Sequence, residues 1–292
     1  MRKIRGIVVV CLMAFILVAC DRNTEKKKDS WVVTQYGDQS GKQGMFYTIY
    51  NEKKDVLVVV DGGWKDNTEL VRSVIHSVGG RVAAWIVTHY HPDHVEALNE
   101  ILIEPDGIVI DAIYDSPMDP EEYLQVAKKW DSPETFTNYL ELTSELPCVH
   151  HLARGDSFTV SDLNFTVYNA YDETAKISGD IPNNASLVFK VQGPDKSMLF
   201  CADVHTNEMA QKLMTLYGDA LKADYLQAGH HGNNSVDREF YDLVSPSVVF
   251  LDAPDWLVVE EKYQTDELVA YCKENNILHY WYASAPNSMT LD

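Results

Sequence analysis

Apolar and polar positions along the chain sort into short runs of strand character and longer stripes at helical spacing. From Trp31 onward, WVVTQYG and GMFYTIY read as two strands about a turn rich in Gly, Gln and Ser, and DVLVVVDGG reads as a third. NTELVRSVIHSV instead repeats apolar residues at helical spacing (Leu70, Val71, Val74, Ile75, Val78) and ends at a Gly pair, with His76 off the stripe and on the surface. RVAAWIVTH predicts a buried strand, HVEALNEIL a helix and IVIDAIYD another strand. Residues 116–147 break the rhythm, being helical, acidic, aromatic and punctuated by proline. After them CVHHLA, SFTVSDLNFTVYNA, SLVFKVQG and SMLFCADV predict strands, and NEMAQKLMTLYG a helix. Strand ADYLQAGHHG, helix REFYDLVSP, strand SVVFLDA, helix DELVAYCKENN and short strands complete the chain. Two blocks of strands, each followed by helices, predict an α/β fold with two sheets between helical layers. No repeat, low-complexity segment or second linker interrupts residues 31–292, so this stretch reads as one domain.

The N-terminus follows a different pattern. MRKIRGIVVVCLMAFILVAC has a basic start, an unbroken apolar run over 7–19, and then Cys20. That run is shorter than the ~18 residues a spanning helix requires, which favours a secretory signal over residues 1–19. LVAC also resembles a bacterial lipobox. The resemblance implies cleavage before Cys20, lipidation of Cys20 and attachment to the outer face of the bacterial cytoplasmic membrane. An uncleaved anchor is the plainer alternative and leaves the rest of the chain on the same side. Residues 20–30, polar and Lys-rich without apolar periodicity, read as a flexible tether.

Composition adds two constraints. A hydrophobic content of 46% supports a sizeable core. Loss of Arg2, Lys3 and Arg5 with the signal takes the formal charge from −20 down by three to −23. Such a surface disfavours long nucleic acid as a partner, although bound metal ions reverse the field locally. Of five cysteines, Cys148, Cys201 and Cys272 remain in the processed chain, scattered and without CxxC spacing, and read as small buried hydrophobes. Oligomeric state leaves no trace in the pattern.

The candidate chemistry sits where RVAAWIVTH ends. VTHYHPDHVEAL places His89, His91, Asp93 and His94 within six positions, in a chain with ten histidines. Imidazoles and a carboxylate bent around a turn held by Pro92 can serve two neighbouring divalent ions. A polar helix start, with Asp93 as the cap, is the alternative and leaves this density of histidines unexplained. THYHPDH fits the HxHxDH signature of the metallo-β-lactamase superfamily. VVVDGG, MLFCADV and ADYLQAGHHGNNS resemble that superfamily's further motifs, in order, over residues 31–292. The resemblance implies an αββα four-layer sandwich with a dinuclear hydrolytic centre and a helical cap over 116–147. It implies His89 and His91 for the first metal, Asp93 and His94 for the second, Asp203 as the bridge and Asp61 as a supporting carboxylate. His230 is the expected last ligand, with Asp93 and His231 in catalytic roles and His231 donating to a phosphoryl oxygen or leaving group; the pair His230/His231 reads equally in reverse. His151 and His279 are secondary candidates, and His205 reads as a helix-start residue or a substrate contact.

One departure concerns the first site. The superfamily places a histidine before the strand that leads to the bridging aspartate, and PNNAS stands there instead, offering Asn183 or Asn184 as a weak or water-mediated ligand. Zinc is the expected ion for His/Asp ligands, and manganese or iron suits an oxygen-richer first site. The segment NNASLVFKV through SPSVVFLDA is similar to the hydrolase domain of ComEC-type DNA-uptake proteins and to extracellular choline-phosphate esterases. This implies a phosphodiester or related ester in a small or cell-envelope substrate. A nuclease, a lactonase and a non-catalytic binding protein on a degenerate site are the competing readings. The cap aromatics Tyr123, Trp130, Phe136 and Tyr139 read as packing in preference to binding a quaternary ammonium, and the cap carboxylates as a solvated face.

Overall fold

The computed structural model describes residues 28–282 and 285–292; the predicted signal, Cys20 and most of the tether lie outside the described residues. The first half contains β1 (Trp31–Gln35), β2 (Phe46–Asn51), β3 (Val56–Asp61), α1 (Thr68–Ser77), β4 (Arg81–Val82), β5 (Ala84–Ile86) and α2 (Pro92–Ile103). It continues through β6 (Val109–Ile110), β7 (Ile113–Asp115), α3 (Pro120–Val126), α4 (Pro133–Thr143) and β8 (Val149–His151). The second half adds β9 (Ser157–Val160), β10 (Leu163–Asn169), α5 (Ile181–Asn184), β11 (Val188–Gln192), β12 (Ser197–Phe200), α6 (Asn207–Tyr217) and β13 (Tyr225–Gln227). It closes with α7 (Arg238–Val244), β14 (Val248–Phe250), α8 (Asp255–Val259), α9 (Thr265–Glu274), β15 (Leu278–Tyr280) and β16 (Asn287–Thr290).

Two seven-stranded sheets form, in the orders β16-β1-β2-β3-β5-β7-β8 and β15-β14-β13-β12-β11-β10-β9. Side-chain alternation with a period of two explains their stacking. Val58 and Val60 of β3 face the space between the sheets, where they join Phe165, Phe189 and Phe200, whereas Leu57 and Val59 face outward among α1 and α2. In β12, Met198 and Phe200 face inward while Leu199 and Cys201 face the helices of the second half. Three apolar layers therefore separate four structural layers, the expected αββα sandwich. Cys201 is buried on the helix side, as its alternation with Phe200 predicts.

RVAAWIVTH and IVIDAIYD each appear as two short strands. The parallel register is the same on both sides of the break, Arg81 opposite Val109 and Trp85 opposite Ile113, so one kinked ladder runs through both. β3, β5, β7 and β8 run parallel, as do β12, β13, β14 and β15. Their C-terminal ends gather along one edge of the sandwich, where the loops are free to carry functional groups.

Residues 116–147 pack mainly on α2. Phe136 and Tyr139 are fully buried, Tyr123 nearly so, and all three share a cluster with Leu98 and Ile101; of the four cap aromatics only Trp130 is well exposed, at 70%. The expectation of a solvated carboxylate face holds for Glu121 and Glu134 but not for Asp131, which is completely buried in the 3-10 turn Lys129–Asp131. Asn99 Nδ2 donates to the Thr135 carbonyl (3.1 Å), and Lys128 pairs with Asp180 (3.4 Å), so the insertion is fastened on two sides.

Candidate metal centre

β5 gives way to Val87, Thr88 and His89, and α2 begins two residues beyond His89's neighbour. Pro92 opens that helix, where its fixed φ is already helical and its missing N–H is not needed. His91 is the residue before the helix and Asp93 lies in its first turn, and neither caps it through a side chain. Both side chains are thus left for other partners, which removes the capping alternative.

Asp61 ends β3 with φ of 54° and accepts from the Thr88 N–H (2.8 Å), the Thr88 hydroxyl (2.6 Å) and His94 Nδ1 (2.8 Å). Burial raises its pKa even though His94 pulls the other way. Fixing His94 through Nδ1 leaves Nε2 pointing at Asp203, 3.2 Å from Oδ1. A carboxylate behind a ligating imidazole sets its tautomer and orientation in this manner.

Asp203 follows β12. Ala202, at φ of 46°, turns the chain, and the Gln227 side-chain oxygen Oε1 accepts from the backbone N–H groups of Cys201 (2.9 Å) and Ala202 (2.7 Å) to hold that turn. The loop after β13 comes against it: His230 N–H donates to the Ala202 carbonyl (2.8 Å). Gly229 is required here, because a Cβ would lie 2.0 Å from the Val204 carbonyl oxygen.

The side chains converge as two groups, His89 with His91 and Asp203, and Asp93 with His94 and His231, the candidate ligand atoms in each lying within 4.8 Å of one another. Asp203 touches both groups: its Oδ2 is 3.6 Å from His89 Nε2 and 3.4 Å from His231 Nε2, and its Oδ1 faces His94. His231 Nε2 is also 3.2 Å from Asp93 Oδ2. All six side chains are buried. His89 Nε2, His94 Nε2, both ring nitrogens of His231 and Asp203 Oδ1 nevertheless lack hydrogen-bond partners. Buried polar atoms are nearly always paired, so this concentration of unpaired nitrogens and carboxylate oxygens fits a pair of divalent ions and little else. The field agrees. Burial penalises the His231 imidazolium, yet Asp203 and Asp93 lift its pKa to about 10, so the site favours positive charge. Asp203 is held well below the usual carboxylate range, burial notwithstanding, by His231, His94 and His89.

The expected His230/His231 assignment is reversed. His231 joins the ligand group, whereas His230 directs Nδ1 to the Asn233 carbonyl (2.8 Å) and stacks on His205 with ring centroids 4.4 Å apart. The cause is backbone conformation. His230 and His231 occupy consecutive left-handed positions, φ 51° and 59°, which rotate the second side chain into the cleft. His205 is held by Asp180 (3.0 Å) and lies outside the two groups.

Asn183 and Asn184 behave differently from each other. Asn184 is spent internally, with Nδ2 donating to the Ala175 carbonyl (3.2 Å) and Oδ1 accepting from Thr206 (3.0 Å). Asn183 donates to Asp180 (3.2 Å) and leaves its buried Oδ1 unpaired at the wall of the cleft. His151 stands elsewhere, largely exposed and 2.6 Å from Asp115, and His279 bonds within its own strand region to the Ile277 carbonyl (3.0 Å). The cleft encloses a cavity of about 370 Å³, walled by His91, Asp93, Asp203 and His231 and flanked by Trp64 and Trp130. One contact escaped the sequence reading: Asp131 Oδ1 lies 3.2 Å from His91 Nε2.

No protein-family model matches the chain, and neither does any curated protein sequence. Among solved structures it is similar to the metallo-β-lactamase fold protein YhfI from Bacillus subtilis, with a TM-score of 0.54 and 13% identity over 90% of this chain and 100% of that one. It is similar to CmlA, a diiron β-hydroxylase from Streptomyces venezuelae, with a TM-score of 0.55 and 13% identity over 91% of this chain but 55% of the other. Igni18, a metallo hydrolase from Ignicoccus hospitalis, gives 0.51 and 13% over 88% and 98%. The chain has the metallo-β-lactamase fold, and it spans about half the length of CmlA.

Proposed function

We propose that the protein is a dinuclear metal-dependent hydrolase of phosphodiester or related ester bonds, acting on a small or cell-envelope substrate. The observation that carries this reading is the sharing of Asp203 between two groups of buried, unpaired ligand atoms. His89, His91 and Asp203 would hold one ion, and Asp93, His94, His231 and Asp203 the other. Bound there, two divalent ions supply Lewis acidity that activates water and stabilises negative charge on a reacting phosphoryl or acyl oxygen.

The chain's own groups complete the site. Asp61 keeps His94 in one tautomer. His230 gives its Nδ1 hydrogen to Asn233, and burial depresses its pKa to about 4, so the ring is neutral at pH 7 and Nε2 is an acceptor. It can accept a hydrogen bond from water or a substrate hydroxyl, but it has no proton to give a leaving group. Trp64 and Trp130 line the same cavity and offer aromatic surface to a bound substrate. The −20 charge of the chain argues against a long polyanion as the natural substrate.

The proposal places this domain outside the cytoplasm, carried on lipidated Cys20. A Cys20→Ser form is expected to leave the membrane fraction. The enzymatic reading is tested on protein lacking residues 1–20 by metal content and by hydrolysis of bis-(p-nitrophenyl) phosphate and p-nitrophenyl phosphorylcholine. About two ions per chain are expected, with turnover abolished in Asp203→Ala. Less than one ion per chain and no turnover would overturn it in favour of a binding protein on a degenerate site. The relative rates on the two substrates separate nuclease-like from small-ester use.

A further inference from the structure

The insertion over 116–147 carries one carboxylate that its composition does not explain. Asp131 is fully buried, in the 3-10 turn between α3 and α4. Its Oδ2 accepts from the Lys128 backbone N–H (2.6 Å), and its main-chain carbonyl accepts from the Tyr123 hydroxyl (3.1 Å). Both bonds are internal to the insertion and fix where the side chain points. Oδ1 is left over. It has no hydrogen-bond partner, and it lies 3.2 Å from His91 Nε2, which has none either. A buried carboxylate with one oxygen free is costly unless something nearby uses it.

His91 belongs to the group that lacks the histidine expected of the first site, where Asn183 stands instead. That group is therefore the weaker of the two in nitrogen donors, and the orientation of His91 matters more to it. Asp61 already shows how this molecule fixes a ligand, holding His94 from behind at 2.8 Å. Asp131 is placed to do the same for His91, 3.2 Å away and short only of the alignment of a hydrogen bond, and it comes from the insertion and not from the sheet edge. With Nε2 facing Asp131, the other ring nitrogen of His91 is the one available to an ion.

We propose that Asp131 is a positioning residue for the first metal site, and that filling this site and docking the insertion are coupled through the Asp131–His91 contact. This rests on the dinuclear reading above. An ion drawing electron density from one ring nitrogen makes the opposite N–H a better donor, so the ion strengthens the contact to Asp131. By reciprocity, whatever loosens the insertion weakens the ion to the same degree. Asp180 and Asn99 anchor the same insertion on its two flanks, through Lys128 and the Thr135 carbonyl, so its docking has the contacts needed to transmit such a bias.

The test is titration of the metal-stripped protein with zinc chloride or manganese chloride, alone, in the parent, Asp131→Asn and Asp131→Ala. Amide hydrogen exchange of residues 120–143 is followed at each end point. Asp131→Asn keeps the shape and hydrogen-bond pattern at Oδ2's neighbour and guards against misfolding of the alanine form. The parent should bind two ions and gain protection over 120–143 on metal addition. Both variants should bind one ion as the parent does and the other about 10–100-fold more weakly, with the metal-induced protection reduced or gone. A purely structural role for Asp131 would instead lower stability without changing either affinity. Two ions bound with parental affinity in both variants, with the protection retained, would overturn the inference while leaving the dinuclear reading intact. A parent that binds fewer than two ions would overturn both.

Discussion

Replacing Asp61 separates what the fold needs from what the metal site needs. In Asp61→Ala the Thr88 N–H and His94 Nδ1–H lose their acceptor inside the protein, while the Thr88 hydroxyl can turn to His89 Nδ1, 3.3 Å away. Two orphaned buried groups cost about 1–3 kcal/mol each. Alanine at φ of 54° adds about 1 kcal/mol. Burial already disfavours the ionised carboxylate, as its raised pKa shows, and its removal returns part of this sum. A net loss of about 3–5 kcal/mol is expected, a large share of the ~5–15 kcal/mol that stabilises a typical domain. Asp61→Asn keeps one acceptor oxygen and a residue that tolerates the left-handed turn, so its stability should fall by only about 1 kcal/mol. It removes the charge behind His94, however, and one ion should bind about 10–100-fold more weakly. Urea unfolding of the metal-stripped proteins gives the first quantity and metal titration the second. The reasoning fails if the alanine form unfolds within about 1 kcal/mol of the parent, or if the asparagine form binds both ions unchanged.

The histidine pair gives a direct contrast: His231→Ala should lose at least one ion per chain, whereas His230→Ala should keep full metal content. Equal loss in both would contradict the geometry of the 229–232 turn. Asp252 supplies a pH dependence away from the ligands. Burial raises its pKa to about 6, against the charge of His231 and against Tyr47, Gln35 and Gln227, which donate to it. The folded state therefore holds this proton more tightly than the unfolded chain. The group's favourable contribution is complete below about pH 4 and is lost as pH rises through 6, a change of about 3 kcal/mol. Urea stability measured from pH 4 to 7 should show this slope in the parent and lack it in Asp252→Asn; parallel profiles would exclude it.

How much of this was legible in the sequence depends on how local each feature is. His89, His91, Asp93 and His94 are readable because six positions hold them all and a proline fixes the turn between them. The two sheets are readable because β3 and β12 alternate cleanly, Val58 and Val60 to one side and Leu57 and Val59 to the other. The choice between His230 and His231 was not readable: strand alternation stops at Gln227, and two left-handed residues then set the direction. Asp131 was hidden for a different reason. Its neighbours Glu121 and Glu134 are solvated, and its own burial follows from Tyr123 and Phe136 packing on α2, a contact between distant segments. The available signal was WDSP, an acid between an aromatic residue and the proline that opens α4, which marks a tight turn but not what the turn points at. The pairing of β16 with β1 is likewise a union of chain ends that no local pattern announces.

Four of the residues that break local rules lie together at the site. Asp61, Ala202, His230 and His231 all have positive φ without being glycine, and each ends or follows a strand at the same edge of the sandwich. Such conformations cost on the order of 1 kcal/mol or more apiece and persist only where surrounding contacts over-determine them. Here those contacts are identifiable: Thr88 on Asp61, Gln227 on Ala202 and the Ala202 carbonyl on His230. Without the sharp turns, the chain would continue past the sheet edge and carry the ligands away from one another. With them, side chains from both halves of the fold meet over Asp203. Since all of these bonds are made by the protein itself, the two sheet edges contribute directly to holding the candidate ligands in place. The candidate ligand that also meets a carboxylate from the insertion is His91, which is where the proposed coupling between the insertion and the site would enter.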